Sequence, residues 1–330
     1  MPNFLVKPLA GLLLMCCSYA AQAETPAIEC MANARGQISL LEIRPGFFSV
    51  KGRMGSFDPC EPQVKFRLPS GQGKPALMIS VHGGGGISDV LRSDQAFYEQ
   101  GMATLVFDAY AMQGLTGRSS LFWARSVTNE ARQRMLFATA LGAYQWAIQR
   151  HDIDVNRIYL FGISNGAAVV ANLAALVDPR HVKGVIAEGV TPVGIGLPDE
   201  IRVPLLLAFG RLDDYGNPKP DGRRWDLSGD CRMNVQIEGA PPGSAQRCNS
   251  NNPGVPIPSA MEWVKTLKKP QDGLEIEYFD DMAHSAFYGP LVQRRATWGS
   301  GETLGASLGA TEAARQKFLQ RMLDFIARHP

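Results

Sequence analysis

The sequence predicts an α/β fold: a mostly parallel central sheet with helices on both faces. Three observations carry that expectation. The runs ALMISV, IYLFG and VPLLLAFG are apolar throughout rather than alternating, which is how a strand covered on both faces reads. These runs alternate with helical patterns, the layout of parallel strands joined by crossover helices. The 330-residue chain is 45% hydrophobic and 19% charged, which suits one large buried core, and α/β folds of this length often form a single unit.

Each element follows in turn. Residues 38–43 (ISLLEI) are strand-like within a mixed stretch. Residues 64–68 (VKFRL) and 76–82 (ALMISVH) are two strands across the turn PSGQGKP, so a hairpin is expected between them. A helix over 89–101 stops at Gly101, a helix-ending residue. ATLVFDAY, 103–110, is an apolar strand with a polar end. Residues 128–150 form a long amphipathic helix, because Met135, Ala138, Leu141, Tyr144 and Ile148 recur at helical spacing. A turn at 152–157 leads into the strand IYLFG, and an Ala/Val-rich helix covers 165–177. VKGVIAEGV and VPLLLAFG are two more buried strands. Residues 215–258, rich in Pro, Gly, Asn and Asp, read as a loop insertion, either a lid or a surface loop. A helix over 259–268, the strand LEIEYF and a final helix over 311–328 bearing Phe318, Met322 and Phe325 complete the chain. No internal repeat is evident.

In open α/β sheets, ligands bind at the carboxyl ends of the strands. At those ends stand His82-Gly83-Gly84-Gly85-Gly86, then Ser164 within G-I-S-N-G, then Asp213-Asp214, then Asp280, Asp281 and His284. Serine, acid and histidine in that chain order define the α/β-hydrolase arrangement. The chemistry requires these types. A serine hydroxyl attacks well only when a base removes its proton. His284 is the candidate base, and Asp213 the residue that would fix its tautomer and stabilise the imidazolium. Two backbone N–H groups, one from Asn165 and the other from Gly83 or Gly84, are the candidate oxyanion hole. Gly162 and Gly166 would keep Cβ atoms out of a crowded strand-to-helix turn. Asp214 stays open as the alternative acid. Asp280 and Asp281 read as surface, and Asp108 as a structural hydrogen-bonder. Phe122, Trp123, Phe287 and Tyr288 could line a pocket or the core.

ISVHGGGG, YEQGMATLVFDAYAMQG, VNRIYLFGISNGAAVV, FGRLDD and AHSAF together resemble the dienelactone hydrolase family, from about residue 64 to the C-terminal helix. The resemblance implies a single-domain carboxyl-ester hydrolase without cofactor or metal, with its triad at Ser164, Asp213 and His284. Two departures stand beside it. The founding members use a cysteine nucleophile and are cytoplasmic.

This chain, by contrast, opens with Lys7, a short apolar run and the cleavage signal Ala21-Gln22-Ala23. That pattern predicts a signal peptide over residues 1–23, a single domain over 24–330, and a periplasmic or secreted protein. The run is short of the ~20 residues a spanning helix needs, so no membrane attachment is expected after cleavage. In an oxidising compartment the remaining Cys30, Cys60, Cys231 and Cys248 favour disulfides, with Cys30–Cys60 and Cys231–Cys248 preferred as local pairings. A formal net charge of +2 argues against a nucleic-acid partner. The expected partner is a small-molecule or polymer ester, and oligomeric state is not readable. A prolyl-type serine peptidase and a non-catalytic binding protein on the same fold remain the alternatives.

Overall fold

A computed structural model describes residues 57–71, 73–113, 129–190, 195–215, 273–297 and 303–330. The expectations for the leader, residues 38–43, Cys30, Cys231, Cys248, Phe122, Trp123, the helix at 259–268 and all of 216–258 lie outside these residues, and with them either cysteine pairing.

Seven strands form one sheet: β1 (Val64–Arg67), β2 (Leu77–Val81), β3 (Ala103–Phe107), β4 (Ile158–Ile163), β5 (Val182–Glu188), β6 (Leu205–Gly210) and β7 (Leu274–Phe279). Their order across the sheet is β1-β3-β2-β4-β5-β6-β7. Every neighbouring pair is parallel except β1 with β3. Among the described residues, four α-helices accompany it: α1 (Leu91–Glu99), α2 (Asn129–Ala147), α3 (Asn165–Leu173) and α4 (Glu312–Arg328). A small antiparallel pair, β8 (Arg295–Thr297) and β9 (Thr303–Gly305), precedes α4. The α/β expectation therefore holds.

One expectation fails. β1 and β2 do not form a hairpin. β1 pairs antiparallel with β3, Val64 opposite Phe107. β2 lies one strand further in, parallel to both β3 and β4. Burial explains the exchange. β2 is buried at every position and takes a parallel neighbour on each side. β1 is only partly buried, with Lys65 exposed, and such a charged, half-wet strand suits a sheet edge.

The sheet divides the core in two. Leu77, Ile79, Val81, Leu160 and Leu207 pack with Leu136 and Phe137 of α2 and Val169 and Val170 of α3. Met78, Phe161, Ile186 and Leu206 pack with Phe97 of α1 and with Phe318, Met322 and Phe325 of α4. Alternate positions of β2 thus serve opposite faces, as the two-residue period of a strand requires. The helix ends follow local chemistry. α1 stops where Gly101 turns to φ +79. α4 starts at Thr311, whose hydroxyl accepts the Ala314 N–H at 3.3 Å, with Glu312 in its first turn and Arg328 in its last. Both charges complement the helix dipole.

Candidate active site

The carboxyl edge of the sheet gathers the predicted residues. Ser164 joins β4 to α3 with φ 56 and ψ −117, a positive φ that few non-glycine residues adopt. It is half-exposed, while its neighbours in the turn are buried. Such local strain persists only when the surroundings enforce it. Here they do. A Cβ on Gly166 would lie 2.2 Å from the Val81 carbonyl oxygen, and one on Gly162 would lie 2.3 Å from the Gly166 oxygen. The two glycines let α3 start directly against the end of β2, as the sequence implied. Asn165, the first residue of α3, is buried, and its side-chain oxygen accepts a 3.1 Å bond from Gln133 Nε2 of α2.

The glycine run after β2 reaches the serine. A Cβ on Gly83 would sit 3.1 Å from Ser164 Cβ and 3.2 Å from the Ile163 carbonyl oxygen, so the run packs close against the serine turn. Gly84 follows in the same turn, half-buried. His82, fully buried, anchors the run. Its Nε2 accepts the Ala109 N–H at 3.1 Å, which leaves Nδ1 as the donor to the Gly83 carbonyl at 2.7 Å. Burial lowers its basicity despite that bond and the charges of Asp108 and Asp89, so the ring stays neutral in this role. Asp89 accepts the Gly85 N–H at 2.9 Å. Asp108 accepts the N–H groups of Tyr110 and Ala111, the structural part read from the sequence.

Acid and histidine meet between β6 and β7. His284 Nδ1 donates to Asp213 Oδ2 at 2.8 Å, and both side chains are at most 5% exposed. Gly210 makes the approach possible, because a Cβ there would fall 2.3 Å from the Met282 carbonyl oxygen. The two loops are zipped by Arg211 N–H to Phe279 O and Leu212 N–H to Met282 O. Asp214 turns away, and its Oδ1 accepts the Ser307 N–H at 2.9 Å. Asp280 and Asp281 are exposed, with Asp280 paired to Arg211. Phe287 packs on Phe318 in the core, with ring centroids 5.9 Å apart.

Serine and histidine touch one dipeptide. The Ser164 N–H donates to the Glu188 carbonyl at 2.9 Å. Gly189, next in the chain, lies against the His284 ring, where a Cβ would be 3.1 Å from Cε1. Burial works against the imidazolium of His284. The charge and hydrogen bond of Asp213, with Glu188 and Asp89 behind it, outweigh burial and hold the ring above its ordinary value. A histidine bound this way at Nδ1 keeps Nε2 to take and return a proton.

Four residues of this site were not singled out in the sequence. Glu188 is buried at the end of β5. Tyr215 stacks on His284, centroids 4.6 Å apart at 18°. Gln133 grips Asn165, and Asp89 lies beside the glycine run. Position at a strand end placed Glu188 near the site without marking it as buried, and Tyr215 lies two residues past the acid. Nothing in the helical pattern of α2 marked Gln133. Among the described residues, no group of three or more His, Cys, Asp or Glu side chains is arranged to hold a metal. No described helix is long and apolar enough to cross a membrane. A cavity of about 300 Å³ lined by Ala76, Met102, Tyr159 and Ile326 opens at the amino ends of the strands, away from Ser164.

A mostly parallel sheet with serine, aspartate and histidine in that order at its carboxyl edge defines the α/β-hydrolase fold. Solved structures agree. A protein of Klebsiella pneumoniae, described provisionally as a dienelactone hydrolase, superposes with a TM-score of 0.50 at 15% identity, over 80% of this chain and 92% of that one. A protein of Bacteroides ovatus, described provisionally as a dipeptidyl aminopeptidase IV, gives 0.50 at 10% identity, over 81% of this chain and 33% of that one. The sequence matches no protein-family model, and no curated protein resembles it.

Proposed function

We propose that the protein is a serine hydrolase of the dienelactone hydrolase type that cleaves carboxylic esters through an acyl-enzyme on Ser164. The observation that carries this is the buried His284–Asp213 hydrogen bond, joined through the dipeptide Glu188-Gly189 to a serine held at positive φ. In this reading Ser164 Oγ attacks the ester carbonyl while His284 Nε2 takes its proton. Asp213 holds the ring and faces the imidazolium that results. The tetrahedral oxyanion faces the N–H of Gly83 or Gly84 and that of Asn165, which opens α3, where the helix dipole favours negative charge. His284 then protonates the departing alcohol. Water, deprotonated by the same imidazole, releases the acid and restores Ser164. No cofactor or metal enters these steps.

Ser164→Ala tests the assignment. It should lower hydrolysis of short chromogenic acyl esters by about 10⁴-fold or more while the protein stays folded. Turnover retained in that variant sinks the proposal. A fluorophosphonate that labels Ser164 separates a hydrolase from a binding protein on the same fold. A panel of esters of rising chain length, with feruloyl and acetylated sugars beside peptide amides, separates esterase from peptidase. The peptidase reading is supported by the likeness to the Bacteroides ovatus protein, of which this chain matches a third. We further propose export, with cleavage after Ala23. The mass of the exported protein tests it, and an uncleaved chain rejects it.

A further inference from the structure

Glu188 has no step in that mechanism, yet it contacts both halves of the site. Its carbonyl accepts the Ser164 N–H at 2.9 Å. Its Oε1 accepts the N–H of Ala286, two residues past His284, at 2.5 Å. The residue is 1% exposed, and Oε2 is buried with no hydrogen-bond partner among the described residues. A carboxyl group is an expensive way to satisfy one N–H, because its ionised form loses hydration on burial. A glutamine would accept the same bond. The loop that Glu188 grips is also strained: Ser285, between His284 and Ala286, adopts φ 58.

We propose that Glu188 is a positioning residue: through the Ala286 N–H its buried carboxyl group clamps the His284 loop to the strand end that supports Ser164, and so sets a carboxyl group behind the catalytic histidine. This rests on the serine hydrolase reading above. The charged groups that face Glu188 are His284 after β7, Asp213 after β6 and Asp89 after β2. Burial pushes the Glu188 carboxyl up to about 7, with Asp213 and Asp89 adding to the push and the Ala286 N–H and His284 opposing it. Glu188 in turn favours the imidazolium of His284, behind the larger effect of Asp213. The acid limb of activity therefore reflects the charge on Glu188 as well as that on Asp213.

The clamp and the charge separate by substitution. Glu188→Gln keeps an acceptor for Ala286 N–H and loses the charge. Glu188→Ala loses both. In Glu188→Gln the acid limb of kcat/KM against pH should move to lower pH by about half a unit or more, since a neighbouring anion no longer favours the imidazolium. Its plateau kcat should stay within a few-fold of the parent. In Glu188→Ala the plateau kcat should fall ~10- to 100-fold with KM little changed, as a displaced base costs rate rather than binding. Restoration of the plateau by Gln but not by Ala supports the clamp, and the shifted limb supports the charge. A Glu188→Gln profile that superimposes on the parent overturns the effect of the charge, and a parental plateau kcat in Glu188→Ala, or in Glu188→Met should the alanine variant fail to fold, overturns the clamp. Fluorophosphonate labelling of Ser164 in the parent is read alongside. A labelled parent with either of these results rejects that part of the role of Glu188 and leaves the hydrolase reading standing. An unlabelled parent rejects the hydrolase reading and this proposal with it.

Discussion

At the scale of single residues, Asp213 and Asp214 stand side by side, and their partners separate them. Asp213 meets His284, whereas Asp214 meets the backbone of Ser307. Asp213→Asn should therefore lower kcat by ~10³- to 10⁴-fold at little cost in stability, because an amide N–H₂ facing Nδ1 selects the wrong tautomer. Asp214→Ala should do the reverse. It leaves the buried Ser307 N–H without its acceptor, which costs about 1–3 kcal/mol, while kcat stays close to the parent. Kinetics and chemical denaturation on the two variants decide the matter, and equal kinetic losses would contradict the assignment. The residue types of the triad were legible in the sequence because each follows a buried strand. The choice between adjacent aspartates was not, since both occupy the same turn and only the path of the chain after β7 and β9 gives each its partner. Glu188 was harder still: nothing in IAEGV distinguishes a buried glutamate from one that faces water.

At the scale of elements, the turn from β4 to α3 is over-determined by backbone contacts rather than by side chains. Gly166 meets β2 so closely that a methyl group would lie 2.2 Å from Val81 O and 2.6 Å from His82 O. Neither atom belongs to a flexible side chain, so the strand or the helix must move. Gly166→Ala should destabilise the fold by about 2 kcal/mol or more and should also depress activity, because the same displaced segment leads into Gly83. Gly101→Ala is the control. Gly101 has φ +79 but open space around it, so the substitution should cost only ~1–2 kcal/mol of backbone strain and leave kcat/KM unaltered. Similar activity losses in both variants would break the link between β2 and the serine turn. The buried strands were readable from their continuous apolar runs, and α4 from its spacing of Phe318, Met322 and Phe325. The pairing of β1 was not. A Gly-rich turn between two strands suggests a hairpin locally, but β3 arrives later in the chain and takes the place beside β2. Local turn chemistry cannot register a competitor for the same edge.

At the scale of the whole molecule, the strength of the base belongs to the assembled sheet. His284 follows β7, Asp213 follows β6, Glu188 ends β5, and Asp89 lies in the loop after β2. No two of these groups share a strand, and the folded edge alone brings them together. His284 is raised above its ordinary 6.5, and the attacking form is the neutral ring. The acid limb of kcat/KM should therefore have its midpoint above 6.5, with activity falling below it, and a flat profile down to pH 4 would exclude His284 as base. Stability follows the opposite course. A raised histidine contributes stability at low pH and loses it as pH climbs through the folded value. Glu188 acts in the same direction: its carboxyl moves from 4.5 to about 7 on burial, so the folded state holds an extra proton in between, and stability declines as pH rises across that window. Activity thus switches on over the range in which His284 withdraws its support from the fold, a trade of stability for function common at active sites. Glu188→Gln removes one of the two contributions. Its thermal midpoint should run close to the parent near pH 4.5 and rise progressively above it toward pH 8. A constant offset across that range would mean that Glu188 carries no proton between its buried and exposed states, and the coupling of base strength to stability would fall with it.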